Sequence, residues 1–167
     1  MTTTASTHGV VVVRADDAER HQLPGGSEMR LIADGPATAG QLSIHRTTLR
    51  DGANGAFPHH HTMSAELFYV LSGSLQVLIG DEVVLVETGD VAVVPPGTAH
   101  AFAAAPGCDA ELLAVVTPGA PRFDFFRRLA RVATGQEPPG PFVADHPSYD
   151  VYPDESPAWS DARSAPV

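Results

Sequence analysis

An all-β fold carrying a C-terminal helical extension is what this 167-residue sequence predicts, and three observations carry that reading. Short apolar runs, many alternating with polar residues, recur up to Val116 at the spacing of strands in a barrel or sandwich. Glycine, proline and aspartate punctuate them throughout, which argues against a helical or βαβ arrangement. Only after Thr117-Pro118-Gly119 does the apolar period lengthen to three- and four-residue steps. These patterns alone specify a barrel or sandwich and leave its topology open.

Taken in order, residues 1–9 read as a disordered tail. Val10 to Val13 is a β-branched run suited to an edge strand or to a strand exchanged with a partner subunit. Leu23-Pro24-Gly25-Gly26 is a turn, Glu28 to Ala33 and Gln41 to Leu49 are strands, and Gly35-Pro36 turns between them. Asp51 to Gly55 forms a loop of residues that tolerate positive φ. Glu66 to Leu71 is the next strand, turned by Gly73 into Leu75 to Ile79. Gly80-Asp81 joins a hairpin, and Thr88-Gly89-Asp90 turns again. Phe123, Phe126, Leu129, Ala130 and Ala133 then define one face of an amphipathic helix laid across the barrel. Gln136 to Pro147, rich in proline and acidic residues, reads as a linker that is either loose or ordered by contact. Ser156 caps a short helix with Pro157 at its first position, and Trp159, the sole tryptophan, docks on the barrel or on a neighbour. The organisation is therefore a tail over 1–9, a barrel over 10–120, and a packed extension over 121–167.

Acidic residues outnumber basic ones 20 to 10, for a net charge of −10, and such a surface repels nucleic acid and anionic membranes. Cys108 is the only cysteine, so no intrachain disulfide forms. Its simplest reading is a partly buried thiol in a loop. Met1 to Thr7 lacks the apolar core of a signal peptide, and the expected location is cytoplasmic.

The chemistry concentrates in Pro58-His59-His60-His61, Glu66 and His100. Side chains two apart on a strand share a face, so His59 and His61 project together while His60 faces away to a surface or supporting role. Glu66 opens the next strand, and His100 follows the turn Val94-Pro95-Pro96-Gly97-Thr98. Three imidazoles and a carboxylate without a thiolate suit a divalent transition metal (Fe, Ni, Co, Mn, Zn or Cu) and leave coordination positions open for substrate. By the same parity Met63 continues the face of His59 and His61, Phe68 and Val70 follow Glu66, and Phe102 and Ala104 follow His100. That predicts an apolar substrate pocket. Either His45 or Arg46 faces the lumen, but parity does not carry across the intervening loop.

The spacing H-x-H-x4-E-x6-G from His59 to Gly73, then G-x5-P-x-G-x2-H from Gly89 to His100, resembles the two motifs of the cupin superfamily. Two positions depart from that pattern: Ala53 and Ala104 stand where glycine and asparagine are usual. Neither is a ligand position. The resemblance implies a cupin jelly-roll β-barrel, with His59, His61, Glu66 and His100 as the metal set. Glu66 to Gly73, Val93 to Phe102, and Thr117-Pro118-Gly119 before a Phe-rich helix also look like single-domain bacterial flavonol (quercetin) dioxygenases. That implies a dioxygenase acting on a small aromatic or enol substrate, with Glu66 as both ligand and catalytic base. The same residues suit a non-redox isomerase or polyketide-cyclase-type enzyme, or a barrel that only binds a small ligand. Neither nucleic acid nor membrane is an expected partner, and a homodimer is.

Overall fold

The computed structural model describes residues 9–164 together with the backbone of Thr4–Ala5. The expected tail over 1–9 therefore lies largely outside the described residues. A short ribbon pairs β1 (Thr4–Ala5) with β2 (Val11–Val12). The strands that follow are β3 (Glu19–Gln22), β4 (Glu28–Ala33), β5 (Ser43–Leu49), β6 (Asn54–His60) and β7 (Ala65–Ile79). Next come β8 (Glu82–Glu87), β9 (Val91–Val94), β10 (His100–Ala104) and β11 (Ala110–Thr117). The extension holds α1 (Phe123–Ala133), α2 (Pro139–Ala144), β12 (Tyr152–Pro153) and α3 (Pro157–Ser164).

These strands form a jelly roll of two antiparallel layers. One layer runs β3-β4-β5-β11-β7-β9 and the other β8-β7-β10-β6-β12. Strand β7 belongs to both. Its first half pairs with β11 and β9, and its second with β8 and β10. Gly73 is thus a bend inside one 15-residue strand rather than the turn expected from sequence. Its φ of +79° and a carbonyl oxygen of Asp109 only 2.0 Å from any added Cβ explain why glycine stands there.

Alternation makes the core. β4, β5 and β11 bury every second residue, and the inward set with Phe68, Val70, Leu75, Val77 and Phe102 fills the space between the layers. β10 is buried on both faces. Phe102 and Ala104 face that core, whereas Ala101 and Ala103 lie under Trp159 of α3 with Leu78. Ser156 Oγ accepts a hydrogen bond from the Trp159 amide, the expected cap, and Arg163 donates to the carbonyls of Gly52 and Ala104.

Helix α1 runs from Phe123 to Ala133; Phe123, Phe126 and Ala130 of the predicted face are buried, Phe125 joins them, and Ala133 is exposed. Phe123, Phe125 and Phe126 pack on Met29 and Leu31 of β4, and Arg127 makes two hydrogen bonds to Glu19 of β3, at 2.8 and 2.7 Å. The predicted linker is structured: α2 begins at Pro139, and Phe142 packs on Phe125 with ring centroids 5.0 Å apart. Proline at a first helical turn does not interrupt a helix, so this proline-rich segment is ordered by contact, one of the two expected alternatives. Cys108 is exposed rather than partly buried.

Candidate metal centre

His59 sits near the end of β6, His61 just beyond it, Glu66 second in β7 and His100 first in β10. Pairing of β6 with β10 sets His100 directly opposite His59. One donor atom from each of His59, His61, Glu66 and His100 lies within 4.8 Å of the other three, and all four residues are buried.

Each imidazole is held from behind by a backbone carbonyl. His59 Nδ1 lies 2.8 Å from the Phe57 carbonyl, His100 Nδ1 2.9 Å from that of Thr98, and His61 Nδ1 against that of Asp150. A carbonyl only accepts, so each Nδ1 carries the proton and each Nε2 presents a lone pair. Glu66 Oε2 is 3.1 Å from His61 Nε2 and 3.0 Å from His100 Nε2. Lone pairs and a carboxylate therefore converge with no intrinsic donor among them, and only a cation satisfies that arrangement. The donor set fits a borderline divalent transition ion; it does not choose among them.

Protons are the cation available without metal. Burial opposes charge on His100, but its hydrogen bond to Glu66 raises its pKa. Burial likewise works against the Glu66 carboxylate, yet hydrogen bonds from His100 and His61 hold it well below the usual range. His59, desolvated and beside His100, is pushed down to about 3. A proton shared around Glu66 would occupy the place a divalent ion would take, and binding of the ion would release it.

His60 points away, as parity predicts. Its Nδ1 is 2.8 Å from Asp154 and its ring stacks on Tyr152, tying β6 to the extension. Beside the cluster lies a cavity of about 80 Å³. Its wall includes His59, His61 and Glu66 from the cluster, Phe102 from the barrel, and Phe125 and Phe126 from α1. Of the residues expected in the pocket, Phe102 lines this cavity. Phe68, Val70 and Ala104 face the closed core, and Met63 is 67% exposed. β6 ends at His60, so strand alternation does not extend to Met63. His45 rather than Arg46 faces the lumen: His45 is buried against the Phe126 ring, and Arg46 pairs with Glu111 outside.

Two contributors escaped the sequence reading. Asp150 reaches the ligand loop through its carboxylate, which accepts hydrogen bonds from the amides of Thr62, Met63 and Ser64 and from the Thr62 hydroxyl. Its own carbonyl orients His61. Arg122, at the entry to α1, is 2% exposed and lines the cavity. The extension is rich in charged residues, so nothing in the sequence singled out Asp150 or Arg122.

Residues 45–116 match the family model described as a cupin domain. No curated protein sequence matches the chain. Among solved structures, KdgF from Halomonas sp. is 20% identical, with 65% of this chain and 93% of that one aligned at a TM-score of 0.55. An RmlC-like cupin from Shewanella frigidimarina is 20% identical over 67% of this chain and 92% of that one, at 0.56. A predicted oxalate decarboxylase from Thermotoga maritima is 26% identical over 64% of this chain and 97% of its own, at 0.54. Residues 45–116 therefore resemble a cupin domain, and the layers built around them have the cupin jelly-roll fold.

Proposed function

We propose that the protein is a metal-dependent enzyme, a dioxygenase acting on a small enol-type substrate, with His59, His61, Glu66 and His100 holding the metal. The observation that carries the reading is the convergence of three carbonyl-anchored imidazoles and a buried carboxylate at the edge of a cavity. A divalent ion bound there supplies Lewis-acid polarisation of a substrate oxygen and a place to orient dioxygen. The chain supplies the rest. Glu66, buried and within hydrogen-bond reach of two imidazoles, is the base that takes the enol proton. Phe102, Phe125 and Phe126 exclude water and face the apolar part of the substrate. A cavity of about 80 Å³ favours a small enol over a three-ring flavonol.

Oxygen uptake by metal-reconstituted protein, measured against a panel of small 2-oxo compounds and flavonols, tests the reading. Uptake that needs both metal and substrate is expected. Turnover under nitrogen with no oxygen consumed would replace the dioxygenase with an isomerase or cyclase. Saturable binding without turnover would leave a ligand-binding barrel.

The homodimer belongs to the same proposal. Val91 and Val93 of β9, with Tyr69 and Leu71 of β7, form an exposed apolar stripe, which a second copy would cover. Sedimentation of Val93→Lys against wild type checks it, with a monomeric variant expected.

A further inference from the structure

Arg122 is a charged side chain buried without a counterion. Among the described residues no carboxylate oxygen lies within ion-pair distance of its guanidinium, and its Nε has no hydrogen-bond partner. Among the described residues the one polar contact of the guanidinium places Nη2 3.3 Å from His61 Nδ1, whose proton is already directed to the Asp150 carbonyl. Three carboxylates act on it electrostatically, Glu66 most strongly and then Asp150 and Asp34; none pairs with it directly among the described residues, and the last two are engaged by backbone amides. Asp34 accepts from the amides of Gly35, Arg122 and Phe123, and Asp150 from those of Thr62, Met63 and Ser64. A buried guanidinium without a direct partner is costly, and an anionic ligand in the cavity would offset that cost.

The cavity supplies the second observation. His45, on the barrel wall, lines the same space as Arg122, and its Nδ1 also lacks a partner. Burial pushes its pKa down to about 4, so it faces the cavity as a neutral imidazole. The remaining wall is apolar apart from the metal cluster and Thr47. The guanidinium stands one imidazole width from the point where the Nε2 lone pairs meet, across the His61 ring.

We propose that Arg122 and His45 form a carboxylate-binding subsite beside the metal centre, so that the substrate is a small 2-oxo or 2-hydroxy carboxylate with a short apolar tail. This deepens the enzymatic reading above and rests on it. A divalent ion, Glu66 and Arg122 leave the site with two positive charges in excess. A substrate carboxylate would offset one of them, and passing the enol proton to Glu66 leaves that total unchanged. The planar fork of arginine matches a carboxylate in bidentate fashion, and the neighbouring imidazole adds one further hydrogen bond. The volume, about 80 Å³, is smaller than the roughly 150 Å³ of an engineered cavity that admits benzene, which limits the tail to a few carbons.

Calorimetric titration of zinc-loaded protein with 2-oxobutanoate and with its methyl ester tests the subsite, with zinc content measured on the same samples. Wild type is expected to bind the acid at least about tenfold more tightly than the ester. Arg122→Met should abolish that preference, Arg122→Lys should keep part of it, and His45→Gln should weaken the acid alone. Ligand-free Arg122→Met should melt no lower than wild type, because it removes an unpaired buried charge. Equal affinity for acid and ester in zinc-loaded wild type would overturn the subsite and leave the metal centre standing. Retention of the preference in a folded Arg122→Met protein would overturn it as well. A wild-type protein that holds no zinc would instead sink the enzymatic reading, and Arg122-dependent binding of the acid to that protein would still support the subsite.

Discussion

Replacing Asp150 by alanine tests the claim that the extension builds the metal centre rather than merely covering it. The buried carboxylate accepts from Thr62 N at 2.8 Å, Thr62 Oγ1 at 2.6 Å, Met63 N at 3.1 Å and Ser64 N at 3.3 Å. Hydrogen bonds to a charged group are worth about 1.5–3 kcal/mol each, and bonds sharing one acceptor are not additive. Solvent reaching the loop would recover part of the loss, so Asp150→Ala should cost about 4 kcal/mol. That is a large share of the roughly 5–15 kcal/mol typical of a domain. Asp150 also holds φ at +55°, which aspartate and asparagine tolerate better than alanine. Asp150→Asn, keeping one acceptor oxygen and that preference, should cost about half as much. The loop carries His61, so metal affinity should fall about 10- to 100-fold in Asp150→Ala, as when the group orienting a ligand is lost. Urea unfolding of metal-free protein and competitive zinc titration measure the two effects. Stability within about 0.5 kcal/mol of wild type, together with unchanged zinc affinity, would refute the reasoning.

Three further outcomes follow from the same geometry. His45 has a pKa of about 4 when folded against 6.5 as a free side chain, so between those values the unfolded chain binds more protons. Its contribution is complete above pH 6.5 and fades on acidification, by about 3 kcal/mol at pH 4; urea midpoints from pH 7 to 5 should fall more steeply for wild type than for His45→Gln. The raised pKa of His100 makes protons compete with metal to a higher pH than for a free imidazole. Zinc affinity should therefore climb with pH through that range, and an affinity flat between pH 6 and 8 would count against the shared-proton picture. Trp159→Ala should cost about 3–5 kcal/mol by vacating the site over Leu78, Ala101 and Ala103. It should leave zinc stoichiometry unchanged, since α3 touches no ligand, and loss of metal there would show that the outer layer is coupled to the centre.

The clustering of His59, His61, Glu66 and His100 was legible because strand parity and turn chemistry are local. His59 and His61 share a face whatever the rest of the chain does, and Pro95 and Gly97 set up the turn that delivers His100. The strand bounds of β4 and the helical period of α1 were readable for the same reason: their burial pattern is written in nearby residues. What was not legible depends on distance along the chain. Asp150 meets Thr62 across 88 positions, and Arg122 approaches His61 across 61. No periodicity records such pairings. The pocket lining failed at an intermediate scale. Parity placed Phe68, Val70 and Ala104 on the inner face correctly, but the inner face divides into a closed core and a cavity mouth, and only the docking of α1 decides which is which. Met63 fell beyond the end of β6, where alternation stops.

Metal content remains the most direct test of the central claim. Elemental mass spectrometry on protein purified without a histidine tag, then on protein stripped and reloaded separately with manganese, iron, cobalt, nickel and zinc, should give one ion per chain for at least one of them. Glu66→Ala and His100→Ala should fold and hold none. A folded wild-type protein that takes up no ion under any of these loadings would contradict the account, because four converging lone-pair donors would then be satisfied by protons alone.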